Sequence, residues 1–371
     1  MKIELFEMER MQSTWENVVD IDLSESGVRA VSLRELVELG FDLTSVLDTP
    51  LSYSQGNGTV ELRQLLSRHY PGSSIDHIEV TNGTSEANFI VSLNLIREGD
   101  EVAMELPNYM QMWGLPRSLG ATIRTFRLRS DSAWTPDWKE FDEAVNEKTR
   151  LLYLSNPNNP TGRVLSRKDM ERIVQRCDET GTWLLADEVY QGAELNGGRT
   201  PSFWGMSDRV IITNGLSKAY GIPGVRIGWI VGPPAVVQEC WTQHDYTTIC
   251  PNKISDAIAR TAVHPDNREK LFARTRTILR EQLPIVREWV SSFDGLLEVS
   301  EPEAGAFCLI QYKSDLSSAE LAERIRVNQS TLIVPGSQLR LENCFRLWFG
   351  APREKLLEGL RRIRAELNQI F

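Results

Sequence analysis

The sequence predicts an α/β fold: a mostly parallel sheet flanked by helices, followed by a smaller α+β domain. Three observations predict it. Short apolar runs recur at 78–81, 101–105, 122–128, 151–155, 183–187, 210–214 and 227–231, too short for helices and suited to buried strands. Helical stretches such as 167–180 lie between them, and strands that alternate with helices pair in parallel with both sheet faces covered. At 371 residues the chain exceeds the ~250–300 that one core fills, and its texture changes after Pro251, so a second lobe is expected.

Taken in order, residues 1–45 mix polar and apolar side chains and are expected to join the small domain. Ser32 with Glu35 three positions on is a capping pair that starts a helix. Tyr53-Ser-Gln-Gly-Asn-Gly58 is a glycine loop, and Val60 opens an amphipathic helix to about His69. The large domain is expected over 46–250, its first strand passing through Asn82-Gly83 into a helix that ends near Ile96. The small domain is expected over 251–371. It has a helical stretch at 252–293 interrupted at His264-Pro265, strands at 306–311 and 345–349, and helices at 319–327 and 354–370.

Composition narrows the function. A hydrophobic fraction of 41% and a charged fraction of 25% suit a globular enzyme, and a net charge of −10 argues against bulk binding to nucleic acid or anionic membrane. Cys177, Cys240, Cys250, Cys308 and Cys344 are odd in number and form no CxxC pair, which reads as reduced thiols in a cytoplasmic protein. His69, His77, His244 and His264 fall at no metal-ligand spacing, so no metal is expected. No stretch has the length and apolarity of a membrane span or a signal peptide.

Ligands of open α/β sheets sit beyond the carboxyl ends of the strands, and four stretches with usable chemistry fall there. Thr81-Asn-Gly83-Thr84-Ser85-Glu86 joins a strand to a helix; its amides and hydroxyls make an anion cradle, although the same residues also suit an ordinary helix cap. Ser155-Asn-Pro-Asn-Asn159-Pro-Thr-Gly162 is stiffened by two Asn-Pro pairs and fixes Asn159 as a donor. Asp187 ends a strand that reads as fully buried, where a carboxylate needs a cationic partner such as a protonated pyridine nitrogen. Tyr190 follows, placed to bond a phenolate-like oxygen. Asn214-Gly-Leu-Ser217-Lys218 leads to Arg226: a lysine for Schiff-base chemistry, which wants a neutral amine, and an arginine for a phosphate. Tyr109, past another strand end, offers a face to a flat ring. An aldehyde-trapping lysine, a carboxylate for a ring nitrogen, a phosphate cradle and a stacking face together fit pyridoxal 5′-phosphate.

From about Tyr53 to Gly350 the chain resembles the fold-type I, class I/II aminotransferases, with the Asn159-Pro-Thr-Gly162, Asp187-Glu-Val-Tyr190 and Ser217-Lys218…Arg226 motifs in family order. The resemblance implies that Lys218 carries the cofactor and shuttles a proton, and that Asp187 pairs with the ring nitrogen. Asn159 and Tyr190 would hold the ring oxygen, Tyr109 would stack, and Gly83, Thr84, Ser85, Ser217 and Arg226 would bind the phosphate. Arg346 would clamp the substrate α-carboxylate, with Gly27 and Asn159 also at the substrate. Tyr53 would reach the phosphate of a second subunit, which implies a homodimer with shared active sites. Gly215 departs from the family, many members of which carry Ser or Thr there, and no distal arginine marks a dicarboxylate substrate.

The stretch 22–36 with 214–218 is also similar to the capreomycidine synthase branch, whose members cyclise a hydroxylated arginine with the same cofactor. Transamination of an L-amino acid is the expected reaction, with elimination–cyclisation of a guanidino amino acid as the alternative and a β-lyase as a third. Glu4, Glu7, Glu9 and Glu25 would face a guanidinium if the amino-terminal segment folds over the site; otherwise they are solvated charges. A regulatory protein on this fold would carry an added basic DNA-binding domain, which an acidic chain does not suggest.

Overall fold

The computed structural model describes residues 2–370. Helix α1 (Glu7–Trp15) and the short strand β1 (Ile21–Asp22) precede α2 (Leu33–Glu38) and α3 (Val60–Ser67). Next come β2 (Ile78–Thr81), α4 (Thr84–Leu95), β3 (Glu101–Leu106), α5 (Gln111–Ser118), β4 (Thr122–Arg129), β5 (Thr135–Pro136) and α6 (Trp138–Ala144). The large sheet is completed by β6 (Thr149–Ser155), β7 (Trp183–Asp187), β8 (Val210–Gly215) and β9 (Gly228–Val231), with α7 (Arg167–Thr180) after β6 and α8 (Pro234–His244) after β9. The remainder is α9 (Lys253–Val263), α10 (Pro265–Ser291), β10 (Leu297–Ser300), β11 (Phe307–Tyr312), α11 (Ser318–Gln329), β12 (Thr331–Leu332), β13 (Val334–Pro335), β14 (Cys344–Trp348) and α12 (Arg353–Ile370).

The large sheet has eight strands in the order β2-β9-β8-β7-β6-β3-β4-β5. From β8 to β4 every neighbour is parallel, while β9 runs against both β2 and β8, and β5 against β4. The reversal at β9 has a simple cause. A parallel return needs a crossover of about a dozen residues or more, usually a helix. Residues 216–227 hold instead the lysine loop and one short turn at Pro223–Val225, so the chain doubles back. The carboxyl ends of β2, β3, β6, β7 and β8 therefore share one edge, and Arg226 enters the start of β9 at that same edge.

Local chemistry explains the flanking helices. A capping box between Ser166 and Asp169 starts α7, Gly181 in a left-handed conformation (φ 73°) stops it, and Met170, Ile173, Val174 and Cys177 form its buried stripe. Putting a charge at Met170 would bury an unpaired ion and break that docking. Ser32 and Glu35 make the same reciprocal cap on α2. Pro265 begins α10 directly after α9, at a position where its missing N–H is not needed.

The last third carries an antiparallel sheet, β10-β11-β14-β13. The amino-terminal segment joins this part of the chain through β1, which pairs in parallel with β12 in a separate two-stranded sheet. Helix α1 was not legible in the sequence, because only Met8 and Gln12 of its nine residues are buried, a stripe too narrow to register as a period. Among the described residues no helix is long and apolar enough to cross a membrane.

Candidate active site

A cavity of about 300 Å³ opens at the carboxyl edge of the sheet and is lined from both lobes and from α1. Lys218 follows β8 into it, its ammonium 3.7 Å from the Glu25 carboxylate. Burial works to lower the lysine pKa, but Glu25 and Tyr190 outweigh it and hold the amine above its ordinary value. Glu25 in turn is pulled down to about 2, chiefly by Lys218, against burial and with help from the N–H groups of Ser26 and Gly27. In the protein alone a carboxylate from the amino-terminal segment thus pairs with the Lys218 ammonium and favours the charged form over the neutral amine that Schiff-base chemistry wants.

Asp187, at the end of β7, is buried, and burial pushes its pKa up to about 6. Asn88 donates to its Oδ2 (3.1 Å) and the Val189 N–H to its Oδ1 (3.1 Å); Thr213 Oγ1 donates to Asn88 Oδ1 (2.8 Å). A dehydrated carboxylate without a cation is what a ring N–H would satisfy. Tyr190 packs edge-on against Phe307 with ring centroids 5.1 Å apart, and its hydroxyl accepts from Asn159 Nδ2 at 3.3 Å. Arg346, 1% exposed on β14, donates from Nη1 to Asn159 Oδ1 (2.9 Å) and from Nη2 to the Ser24 carbonyl (2.6 Å). Its Nε has no partner, an unmet donor inside the cavity wall that a carboxylate would satisfy.

The anion cradle is built from close backbone approaches. Gly83 has φ +96°, and a Cβ there would strike the Arg226 guanidinium; a Cβ on Gly228 would come within 2.5 Å of the Thr84 nitrogen. Thr84 Oγ1 is buried without a hydrogen-bond partner. A Cβ on Gly215 would stand 2.5 Å from that same oxygen, so Thr84 occupies the space that a hydroxyl residue at 215 would need. Arg226 Nη1 lies 3.4 Å from Ser217 Oγ, and Ser85 opens toward the same cavity. These free donors and the amino end of α4 fit the phosphate of pyridoxal phosphate.

The structure brings Thr84, Ser85, Tyr109, Asn159, Asp187, Tyr190, Ser217, Lys218, Arg226 and Arg346 to one cavity, with Gly83 behind Arg226; Gly27 and Tyr53 do not line it. Gly27 stands just behind the lining, where its carbonyl accepts from Trp348 Nε1 and a Cβ would lie 3.6 Å from Lys218 Cδ. Tyr53 is outside altogether and 79% exposed. Tyr109 lies at the cavity mouth, but its hydroxyl donates to Glu9 Oε1 of α1 at 2.8 Å, and Phe6 packs against its ring. Glu9 and Glu25 do line the cavity, joined by Glu16; Glu4 instead pairs with Arg117, and Glu7 lines a neighbouring groove. Sequence reasoning missed Asn88 and Glu16. Asn88 carried little signal: it stands one turn beyond Thr84, but Ser92 and Asn94 of the same helix are buried polar residues too.

The aminotransferase class I and II family model matches residues 46–363. The chain belongs to that family. It is 28% identical over 363 residues to a capreomycidine synthase from Streptomyces vinaceus, covering 94% of this chain and 90% of that one. It is 26% identical over 328 residues to an aspartate aminotransferase from Thermotoga maritima, with 86% and 84% covered. A crystal structure of a PLP-dependent aminotransferase from Streptococcus suis superposes with a TM-score of 0.93 at 28% identity, covering 100% and 99% of the two chains. The fold is that of the fold-type I enzymes, and the cofactor is pyridoxal 5′-phosphate.

Proposed function

We propose that this enzyme is an aminotransferase acting at the α-carbon of an L-amino acid whose side chain is cationic. The observation that carries the reaction class is the convergence of Lys218, Asp187 and Arg346 on one cavity beside the cradle formed by Thr84, Ser217 and Arg226. When bound, pyridoxal phosphate supplies an aldehyde for the substrate amine and a ring that accepts the Cα electron pair. Arg226, Thr84, Ser85, Ser217 and the amides after Gly83 hold the phosphate. Asp187 keeps a proton on the ring nitrogen, Asn159 and Tyr190 bond the ring oxygen, and Tyr109 flanks the ring. Arg346 takes the α-carboxylate through Nε and an Nη, which turns the Cα–H toward Lys218. Lys218 Nζ, as a neutral amine no longer paired with Glu25, would take that proton and return it on the cofactor side, two atoms from Cα.

The side-chain class follows from charge. The cations lining the cavity are Lys218, Arg226 and Arg346, each engaged by a group common to all substrates. Glu9, Glu16 and Glu25 remain, and Glu16 is raised by burial and by the nearby Asp22, Glu25 and Glu9, a crowding of negative charge that a guanidinium or ammonium would relieve. The same carboxylates favour a second reading, elimination and cyclisation of a guanidino amino acid, because they would hold its guanidinium near its own carbon chain. Comparing arginine, ornithine and lysine with aspartate and glutamate as donors tests the assignment: basic donors should react faster, and a preference for aspartate would refute it.

A second copy of the chain is the partner that the outer surface fits. Leu47, Leu51, Tyr53 and Tyr246 are 76–88% exposed on loops flanking the large domain, a burden of apolar surface that self-association would cover. Sedimentation at micromolar concentration should give a dimer; a monomer would refute this.

A further inference from the structure

Beneath the anion cradle lies a buried triad that the proposed chemistry does not use. His244, the last residue of α8, is fully buried. Its Nδ1 is 2.8 Å from Glu79 Oε1 on β2, and its Nε2 is 3.0 Å from Thr248 Oγ1 and 3.5 Å from Glu86 Oε2 on α4. Glu86 reaches back to accept the Asn82 N–H at 2.6 Å and takes the hydroxyls of Thr247 (2.7 Å) and Thr248 (2.8 Å). The Asn82-to-Thr84 turn that aims the cradle amides is thereby fastened to the end of α8.

This arrangement contains an electrostatic problem. Glu86 sits in the first turn of the helix whose amino end receives the phosphate, so carboxylate and phosphate compete for the same partial positive charge. We propose that His244 is a positioning residue for the cofactor phosphate: as an imidazolium between Glu79 and Glu86 it offsets part of the negative charge that Glu86 presents to the phosphate and locks the Asn82–Gly83–Thr84 turn. Protonation fits the surroundings. Burial works against it, but Glu79 and Glu86 raise His244 to about 9, and Glu86 is held at about 2 despite its own burial. Glu79 itself is raised by burial to about 7, with Arg63 of α3 drawing it down and Asp245 pushing it up.

By linkage, an imidazolium that favours phosphate must itself be favoured by phosphate to the same factor. In ¹⁵N-labelled apoenzyme, inorganic phosphate should therefore shift the His244 titration upward by ~1 unit for each tenfold of coupling. A His244 that is neutral at about pH 8, or one that phosphate does not shift, overturns the proposal. His244→Gln, which keeps a hydrogen bond and loses the charge, should weaken pyridoxal phosphate binding by roughly tenfold or more while leaving pyridoxal binding unchanged. Adding Glu86→Gln to that variant should recover most of the loss, since the charge to be offset is gone. Equal weakening of pyridoxal and pyridoxal phosphate, or no recovery in the double variant, would show a merely structural histidine. The phosphate titration uses the wild-type protein, so it decides the matter even if the variants fold poorly.

Discussion

Replacing Asp187 with Asn should stabilise the cofactor-free protein while disabling its use of the cofactor. Burial raises the Asp187 pKa from 3.8 to about 6. Two units correspond to on the order of 3 kcal/mol. A folded-state value above the unfolded one means that the native state holds the extra proton. The carboxylate therefore adds no penalty well below pH 3.8, becomes costly as pH climbs toward about 6, and exerts its full effect at neutral pH. An amide carries no charge to desolvate. Its hydrogen bonds also survive: the new carbonyl can accept from Val189, and Asn88 can turn over because Thr213 Oγ1, 2.8 Å away, can accept as readily as donate. Calorimetry of the apoproteins should show the variant melting roughly 4 °C higher near pH 8, with the gain vanishing below about pH 4. A gain independent of pH, or none, would refute the claim that burial of this carboxylate raises its pKa. Pyridoxal phosphate should reverse the order, stabilising the wild type more than the variant, because only the carboxylate gains from a ring N–H.

Three further outcomes are expected. Arg346→Lys replaces a planar fork by a single ammonium and should raise the amino-acid KM by ~100-fold, with binding of pyridoxal phosphate itself nearly unchanged in a fluorescence titration. Glu25→Gln removes the partner that holds Lys218 charged; the pH midpoint for attachment of pyridoxal phosphate to Lys218, followed by absorbance, should fall, and an unchanged midpoint would refute the ion pair. Gly215→Ser should weaken pyridoxal phosphate binding by roughly tenfold through its clash with Thr84 Oγ1, and Thr84→Ala should restore part of the loss, whereas independent effects would show that the two positions do not share one space.

Much of the fold was legible because its signals are local. Seven apolar runs between helices gave the sheet, and serine caps and a Pro265 break marked helix ends. The direction of β9 was not legible as an apolar run alone, since the run reads the same either way; the 216–227 connection, which holds one three-residue turn and no crossover helix, decides it. The site was legible where rare residue types stand at strand ends, as with Lys218, Asp187 and Arg226. It was not legible where ordinary residues act through three-dimensional placement. Glu9 and Glu16 look like solvated charges on a polar helix until α1 is seen across the cavity mouth. Glu25, like Glu9, reads as a candidate partner for a guanidinium, but its pairing with Lys218 is legible only once the Ser26 and Gly27 amides aim it there. His244 shares no motif with Glu86, 158 residues away, and only packing joins them.

The central claim is transamination of a cationic amino acid, and one half-reaction tests it most directly. Enzyme loaded with pyridoxal phosphate is given arginine, ornithine, lysine or a hydroxyarginine with no keto-acid acceptor, and both the cofactor spectrum and the product mass are followed. The account predicts one stoichiometric turnover, with the cofactor left as its amine and one keto acid released per site. Repeated turnover without an acceptor, giving a product lighter by one water and the cofactor still an aldehyde, would contradict it and establish the cyclase reading instead.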